Sequence, residues 1–565
     1  MQLLRLIILS VSCVIVPMEA MNLYSSLPGL KQYFRFPSIS IIGTPLQNAF
    51  RTPHILIEHR NITEQKKFDT RWQETFANEI DTDPLVAAKE FKQALANNSY
   101  TSSHHHPFFL GLSSSAYQFE GGINEESSWN RFAQRNGFTQ PGDSVDFWNQ
   151  YSDIIKEMKK QVGINAYRLS ISWERIQKSQ GAWDLDAIEK YKNIILELRK
   201  NNIEPLVVLH HYTIPTWFED LGGFEKEENI EHFVKFAITM YEALHDKVIY
   251  WSTFNAIEGY AFKGYWQLDG PPGKPELKSM QTTVEVMKNM LKAHVEIYRA
   301  IKGIPNEQYH IKPLYIQRKI ESPTIAEPQI GIQKNIVPLD LASFTRLQYT
   351  LAPLTWLFCD IGNKLQNDGF YGFFTQGRFK LQSSVVRVNV DYFEPAAPYT
   401  LDWIGLNTYS NKLRFLLKDV LDIDLNKRTA NDNYRFYPEG IERAVESLDE
   451  QLIKPLQAKI NKQIPIWITE NGIATEDNKK RDRFFSRALL VIRKLLEGGY
   501  PIMGYTPWAS HDNYEWPSTK QPDAFNSRRY GMFRVDFTTP ERKRFFKGGS
   551  PYFANFVKAV NQSGN

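Results

Sequence analysis

Short apolar runs alternate with longer amphipathic segments from residue 108 onward in this 565-residue chain. The runs that have the length and composition of buried strands are residues 109–117, 165–172, 205–211, 249–255, 329–335, 403–409, 465–471 and 502–510. Between them, apolar residues recur at helical spacing, as at Ile188, Tyr191, Ile195 and Leu198, and at Phe485, Ala488, Leu489, Ile492 and Leu496 before Gly498 and Gly499. Strands that alternate with helices pair in parallel through right-handed crossovers. Eight such units predict an α/β protein, a closed (β/α)8 TIM barrel with an N-terminal extension.

The composition favours a globular protein that acts on a small molecule. Hydrophobic residues make up 42% and aromatic residues 13% of the chain, enough for a large buried core. The formal net charge is +4 and the two signs are interspersed, which argues against a nucleic-acid-binding surface. Cys13 and Cys359 are the two cysteines, and Cys13 lies in the N-terminal apolar stretch. No internal disulfide is therefore expected in a mature chain.

The N-terminal residues have the pattern of a secretory signal. Arg5 precedes the apolar stretch 6–17, so residues 1–20 are interpreted as a signal peptide of a secreted or periplasmic protein. A membrane anchor is the alternative, but the stretch is shorter than the roughly 20 residues that span a bilayer. We therefore expect no stable membrane span.

Three further regions are expected after the signal. Residues 21–107 form an N-terminal extension without recognisable chemistry, residues 108–558 the barrel, and residues 559–565 a tail. His104, His105 and His106 lie near the end of the extension. Adjacent histidines rarely converge on one metal ion without other ligands, so we interpret them as part of a solvated linker.

Polar and aromatic residues gather at the predicted C-terminal ends of the strands. In a (β/α)8 barrel this end carries the active site. The residues are Gln118, Arg168, His211, Asn255, Tyr409, Glu470 and Trp508. Glu470 follows the apolar run 466–469, and a strand with this pattern delivers its last carboxylate into a pocket.

Six ordered motifs lie at or beside these strand ends. They are residues 109–121, 167–173, 211–215, 402–409, 469–472, and Trp508 together with residues 512–516. In this order they resemble the motifs of glycoside hydrolase family 1, the retaining β-glycosidases, and the similarity extends over nearly all of residues 108–558. The resemblance implies a β-glucosidase-like enzyme that hydrolyses O-glycosyl bonds of small β-glycosides. It implies no metal or organic cofactor, and it leaves the oligomeric state open.

The resemblance also implies a role for each residue. In a retaining β-glycosidase one carboxylate attacks the anomeric carbon, while a second carboxyl group about 5 Å away protonates the leaving oxygen and later activates water. By resemblance Glu470 is the nucleophile, Arg168 keeps it ionised, and Tyr409 orients it. The residues implied in sugar binding are Gln118, His211, Asn255, Trp508, Glu515 and Trp516.

The second carboxyl group is missing. An ungapped match of residues 253–259 to the family's Thr-Phe-Asn-Glu-Pro places Ala256 at the acid/base position. General acid-base assistance contributes about 10²- to 10⁴-fold in rate. We therefore expect poor activity on glycosides with basic leaving groups.

Three hypotheses address this vacancy. In the first, Glu258 substitutes for the acid/base, although the rise along a strand would displace it by roughly 6 to 7 Å. In the second, the enzyme uses activated leaving groups or an external base, as the family's plant thioglucosidases do. In the third, the protein is a catalytically inactive carbohydrate-binding pseudoenzyme, as in Klotho-type members. Retention of Glu470 argues against a complete loss of chemistry, because a binding module has no need of that buried charge.

Smaller departures from the family pattern surround the site. Tyr212 and Thr213 follow His211 in place of the usual Trp-Asp, and Thr408 precedes Tyr409 where Tyr is common. We expect these changes to reshape the entrance, so neither the sugar nor the aglycone is predicted.

Overall fold

Eight parallel strands close into a barrel in a computed structural model of the chain. The structure describes residues 61–79, 83–103, 107–122, 126–305, 307, 312–336, 339–341, 367–384, 386–409, 411–413, 436–518, 522–547 and 551–562. The barrel strands, β1 to β8 in chain order, are Phe109–Ser113, Ala166–Ser170, Glu204–Val208, Tyr250–Asn255, Gln329–Asn335, Trp403–Asn407, Ile466–Glu470 and Ile502–Tyr505. Each overlaps one of the predicted runs, so the predicted (β/α)8 barrel is confirmed.

The order of strands in the sheet follows the chain. Every strand pairs in parallel with its neighbours, and β1 pairs with both β2 and β8, which closes the barrel. Two ladders shift register near their C-terminal ends, between Ser252 and Asn255 on β4 and between Ile468 and Glu470 on β7. Such irregularities re-aim side chains and are common beside active sites. Both lie where the sequence motifs place chemistry.

The two predicted helical faces lie on helices Leu185–Lys200 and Asn478–Glu497. Each begins after an aspartate whose side chain accepts a hydrogen bond from a backbone N–H of the first turn, Asp184 in one and Asp477 in the other. The second helix ends before Gly499, whose φ of 83° lies in the left-handed region that favours glycine. The predicted apolar positions of both helices are buried, except Ile188, which is partly buried.

The other helices range from single turns to the 22 residues of Met280–Ile301. The α-helices are Asn61–Asn78, Pro84–Asn97, Ser99–Ser103, Ala116–Phe119, Ser128–Arg135, Phe147–Val162, Trp173–Ile176, Thr216–Asp220, Ile230–Leu244, Ile257–Phe262, Met280–Ile301, Leu314–Glu321, Gly369–Gln376, Gly440–Leu448, Lys454–Ile460 and Pro551–Asn561. Single 3-10 turns occupy Gly223–Glu225, Glu227–Asn229, Pro275–Leu277 and Ala397–Tyr399, and π turns occupy Lys263–Gln267 and Asp449–Ile453. None of the helices in the described part of the chain combines the length and the apolar character needed to cross a bilayer.

Aromatic side chains fill the N-terminal end of the barrel. The rings of Phe109 and Trp467 stack with centroids 4.5 Å apart, and Tyr250 packs edge-on against both. Tyr100, from the short helix before β1, belongs to the same buried cluster. The N-terminal end is therefore a packed core, and the C-terminal end is left for chemistry.

The chain divides into two compact units. One comprises residues 1–80, 339–365 and 411–427, and its described elements are helix Asn61–Asn78 and the parallel pair Leu339–Leu341 and Asn411–Leu413. The other comprises residues 81–338, 366–410 and 428–565 and contains the whole barrel. It also carries two antiparallel pairs, Arg378–Ser383 with Val388–Phe393 and Phe533–Val535 with Arg544–Phe546.

Some predictions fall outside the described residues. They concern the signal at 1–20, Cys13 and Cys359, and the histidines at 104–106. The predicted limits of the extension, the barrel and the tail also stay predictions.

Candidate active site

Glu470 is the last residue of β7, and its side chain is buried. Arg168, on β2, places Nη2 2.9 Å from Glu470 Oε1, and the Tyr409 hydroxyl donates a hydrogen bond to Oε2 at 2.9 Å. Because β2 and β7 are not adjacent in the sheet, the ion pair crosses the barrel interior. The three residues predicted to form the nucleophile site therefore lie together.

The environment of Glu470 has opposing effects on its ionisation. Burial raises the pKa of its carboxyl group above the ordinary value, whereas Arg168, Tyr409 and Asn407 each lower it. Asn407 is itself held by the Thr469 hydroxyl, which donates to its Oδ1 at 2.8 Å. A carboxylate contacted on both oxygens is fixed in orientation, as a nucleophile needs to be.

Arg168 links this group to the predicted sugar-binding residues. Its side chain is fully buried, and Nε and Nη2 both donate to Gln333 Oε1, at 3.0 and 2.5 Å. Nη2 also donates to Asn255 Oδ1 at 2.8 Å and lies 3.3 Å from His211 Nδ1. Burial, Arg168 and His210 lower the pKa of His211 well below its ordinary value, so the ring is neutral. Both ring nitrogens of His211 face donors, Nδ1 the Arg168 guanidinium and Nε2 the Asn255 amide nitrogen at 3.5 Å.

The segment after β8 supplies an aromatic wall. Trp508 Nε1 donates to Glu515 Oε1 at 2.9 Å. The His211 ring is nearly parallel to the rings of Trp508 and Trp516, with centroids 5.8 and 6.3 Å away. Trp516 is stacked in turn on Trp129 at 4.5 Å. Burial raises the pKa of Glu515 to about 7, so both of its protonation states are populated near neutral pH.

Gln118 lies in the short helix after β1 and is fully buried. The Ser115 hydroxyl donates to its Oε1 at 2.8 Å, and its Nε2 donates to the backbone oxygen of Tyr514 at 2.9 Å. These bonds tie Gln118 to the segment that carries Glu515 and Trp516. The structure thus brings the whole predicted sugar-binding set to one end of the barrel.

Ala256 follows the last residue of β4 and precedes helix Ile257–Phe262. Its φ of 44° lies in the left-handed region, which is uncommon for a residue with a side chain. Its N–H donates to the backbone oxygen of Gln333 at 2.9 Å, and the residue is buried. The side chain at this turn is a methyl group, so position 256 supplies no proton donor.

The Glu258 carboxylate is engaged elsewhere. Its Oε1 accepts the Asn335 N–H at 2.7 Å and lies 3.2 Å from Lys334 Nζ. Successive side chains of a strand point to opposite faces of the sheet. Gln333 points into the barrel towards Arg168, so the next residue, Lys334, points away from the barrel interior. The Lys334 ammonium accordingly lies 5.4 Å above the ring of Phe370, on a helix outside the barrel. The contacts of Glu258 thus lie on the outer side of β5.

Comparison with known proteins agrees with this geometry. The model of "Glycosyl hydrolase family 1" matches residues 100–337 and 364–562. The chain belongs to glycosyl hydrolase family 1. This family comprises retaining β-glycosidases, so membership assigns the chain to that class of enzyme.

Family 1 relatives cover most of the chain. A 6-phospho-beta-galactosidase of Clostridium acetobutylicum is 26% identical over 474 residues, which are 77% of this chain and 93% of the relative. Beta-glucosidase 32 of Arabidopsis thaliana is 26% identical over 517 residues, 82% and 90% of the two chains. The solved structure of a beta-glycosidase from Pyrococcus horikoshii superposes with a TM-score of 0.63 at 28% identity, covering 80% of this chain and 94% of that one.

Sequence reasoning missed two buried polar residues of this family 1 site. Asn407, on β6, donates to Asn255 Oδ1 at 2.7 Å, and Gln333, on β5, accepts from Arg168. The sequence did contain an indication for Gln333. Residues two apart in a strand lie on the same face of the sheet, so Gln333 shares a face with Asn335 at the end of the strand. The signal for Asn407 was weaker, because asparagine near a strand end is equally typical of a turn.

Proposed function

We propose that the protein hydrolyses small β-glycosides through a covalent glycosyl-enzyme on Glu470, and that it favours leaving groups that depart without protonation. The observation that carries the proposal is the contrast between two positions. Glu470 has a cation and a hydroxyl donor on its two carboxylate oxygens. Position 256, which by resemblance is that of the acid/base, is alanine.

The proposed reaction proceeds in two displacements. The Glu470 carboxylate attacks the anomeric carbon, the bond from that carbon to the leaving oxygen breaks, and the leaving group departs with the electron pair as an anion. Water then attacks the same carbon, Glu470 is released, and the proton of the water passes to the solvent. A small anion such as azide can replace water in the second step, because it needs no general base.

The charge of the pocket favours an uncharged sugar. Two buried carboxyl groups, Glu470 and Glu515, belong to the set of residues that surround it. The Arg168 guanidinium is already engaged by Glu470, and Arg528, which lowers the pKa of Glu515, donates to the backbone oxygen of Trp516. A dianionic phosphate would meet the Glu470 carboxylate, and Glu515 in its ionised form, at low dielectric constant. We therefore propose a neutral β-glycoside as substrate, although one relative is named as an enzyme of phosphorylated galactosides.

The test uses a 2,4-dinitrophenyl β-glucoside and its 2-fluoro analogue. We expect a burst of dinitrophenolate followed by slow turnover, and acceleration of that turnover by azide. The 2-fluoro glycoside should label the protein once, and peptide mass mapping should locate the label on Glu470. Absence of burst, azide effect and label would contradict the proposal.

A Glu258→Gln variant tests the alternative acid/base. We expect unchanged turnover of an aryl β-glucoside, because the Glu258 carboxylate is bound to Lys334 and to the Asn335 N–H. A loss of about 10²-fold or more, restricted to poor leaving groups, would instead identify Glu258 as the proton donor.

Ala256 also supports a second candidate function, a carbohydrate-binding protein without turnover. Calorimetry with β-linked disaccharides, run beside the hydrolysis assays, distinguishes the two. Tight binding together with no burst and no 2-fluoro label would favour the binding protein.

A further inference from the structure

We propose that Gln333 is a positioning residue that holds the Arg168 guanidinium against Glu470. The inference deepens the proposed function and rests on it. Gln333 lies on β5, and neither the sequence motifs nor the family resemblance assigned it a role.

Contacts at two nitrogens, Nη2 and Nε, fix the orientation of the Arg168 guanidinium. Nη2 contacts Glu470, Asn255 and Gln333, at 2.9, 2.8 and 2.5 Å. A guanidinium held at one nitrogen can still rotate about it. Gln333 is the residue, among those described, that also receives Nε, at 3.0 Å, while Nη1 has no hydrogen-bond partner among the described residues. The second point of attachment therefore comes from Gln333.

The orientation of the Gln333 amide follows from donor and acceptor chemistry. Arginine has no acceptor, so the side chain oxygen and not the amino group must face it. A flipped amide would set N–H groups against N–H groups in a buried site, where the repulsion is little screened. The Gln333 carbonyl is thus a fixed acceptor.

The barrel makes room for this side chain at a glycine. A Cβ atom built on Gly405, on the adjacent strand β6, would lie 2.5 Å from Gln333 Cγ and 3.0 Å from Thr469 Oγ1. Real Cβ atoms do not show contacts as short as 2.5 Å, so any larger residue at 405 would displace the Gln333 side chain. The space for a long polar side chain beneath Arg168 is therefore part of the fold.

Gln333 also contacts Ala256, the residue at the acid/base position. The backbone oxygen of Gln333 accepts the Ala256 N–H at 2.9 Å, at the left-handed turn that ends β4. The side chain of Gln333 thus accepts hydrogen bonds from Arg168, and its main chain accepts one from Ala256. A side chain substitution at 333 tests the first contact without removing the second.

The experiment compares Gln333→Met, which keeps the length of the side chain, and Gln333→Glu, which adds a carboxylate. Gln329→Met is the matched control, because Gln329 lies at the opposite end of β5. Two readouts are followed across pH: kcat/KM for a dinitrophenyl β-glucoside, and calorimetric binding of the cationic iminosugar 1-deoxynojirimycin, which requires ionised Glu470.

We expect Gln333→Met to lower both quantities about tenfold or more, since small displacements of a positioned group have effects of this size. In Gln333→Glu the new carboxylate competes for Arg168 and adds negative charge beside Glu470. The acidic limb of kcat/KM and of iminosugar binding should both move to higher pH. Gln329→Met should leave both profiles unchanged.

Unchanged pH profiles and unchanged iminosugar affinity in both variants at 333 would overturn the inference, even if their melting temperatures fell. Failure of the proposed function is distinguishable, because it would appear in the unmodified protein as absence of the 2-fluoro label on Glu470. Iminosugar binding needs no turnover, so it would still measure the effect of Gln333 on Glu470.

Discussion

The ends of β7 and β4 differ in how completely each supplies its half of the proposed reaction. At the end of β7, Glu470 is contacted by Arg168 and Tyr409, with Asn407 close by. At the end of β4, Ala256 offers a methyl group in a buried turn. The residues that contact the proposed nucleophile are all present, whereas position 256 has no proton donor. In the proposed double displacement, the two halves therefore depend on separate sets of residues.

The comparison also supports the proposal that Glu258 does not take the place of the missing carboxyl group. Residues at the end of β4 turn into helix Ile257–Phe262, so Glu258 no longer continues the strand. Its carboxylate pairs with Lys334 on the outer side of β5. A buried ion pair resists removal of one partner, because the other charge would be left without compensation.

The largest expected effect follows removal of the nucleophile. Glu470→Gln keeps the shape of the side chain but cannot form the ester, so turnover of the dinitrophenyl glucoside should fall at least about 10⁴-fold. Stopped-flow absorbance should show no burst, and the 2-fluoro glycoside should leave no label. A label retained on another residue of this variant would show that the two strand ends had been assigned the wrong roles.

The second prediction concerns a variant that places a carboxyl group at the acid/base position. Ala256→Glu should raise hydrolysis of a phenyl or alkyl β-glucoside by about 10²-fold or more, the usual contribution of a general acid. For the dinitrophenyl substrate kcat/KM, which reports the first displacement, should change little, whereas turnover should rise because the new carboxylate activates water, and azide should no longer accelerate release. Alanine already carries a Cβ at φ 44°, so the longer side chain adds little backbone strain.

Ala256→Gln is the matched control, because it has nearly the size of glutamate but donates no titrating proton. Equal gains in the two variants would point to improved packing. No gain in either would mean that position 256 does not face the leaving group.

The third prediction weakens the support of Glu470. Tyr409→Phe removes the hydroxyl that donates to Oε2 and helps to lower the pKa of Glu470. The pKa of Glu470 should therefore rise, and the acidic limb of kcat/KM should move to higher pH. Near that limb the loss should be about tenfold, as for one hydrogen bond to a charged group. A uniform loss at every pH would mean that Tyr409 acts through the sugar and not through the protonation of Glu470.

The fold and the predicted site residues were accessible from sequence for different reasons. Strand positions follow from apolar runs, and Glu470, Arg168 and Tyr409 stand in motifs with fixed neighbours. Gln333 stands in no such motif, and its role depends on the glycine at 405 on a strand that is distant in sequence. The direction of the Glu258 side chain was not accessible from sequence, because it depends on where β4 ends and on Lys334, one strand away.

The smallest predicted effect concerns Glu515, to which the proposal gives a role in sugar binding and none in either displacement. Burial raises its pKa from the ordinary 4.5 to about 7. The ionised form accepts stronger hydrogen bonds from sugar hydroxyls, so KM should fall as pH rises through 7. In Glu515→Gln this dependence should vanish, with a loss of affinity of about fivefold at pH 8 and little change at pH 5.

Stability should respond in the opposite sense to pH. Between pH 4.5 and about 7 the folded protein keeps the Glu515 proton that the unfolded chain has lost. The stability associated with this group is therefore present below pH 4.5 and is lost as pH rises to about 7. Glu515→Gln should remove that loss, so its melting temperature relative to the unmodified protein should be higher at pH 8 than at pH 5. Equal differences at the two pH values would mean that Glu515 is ionised throughout, and the pH dependence of KM would then have to arise at the end of β7, from Glu470.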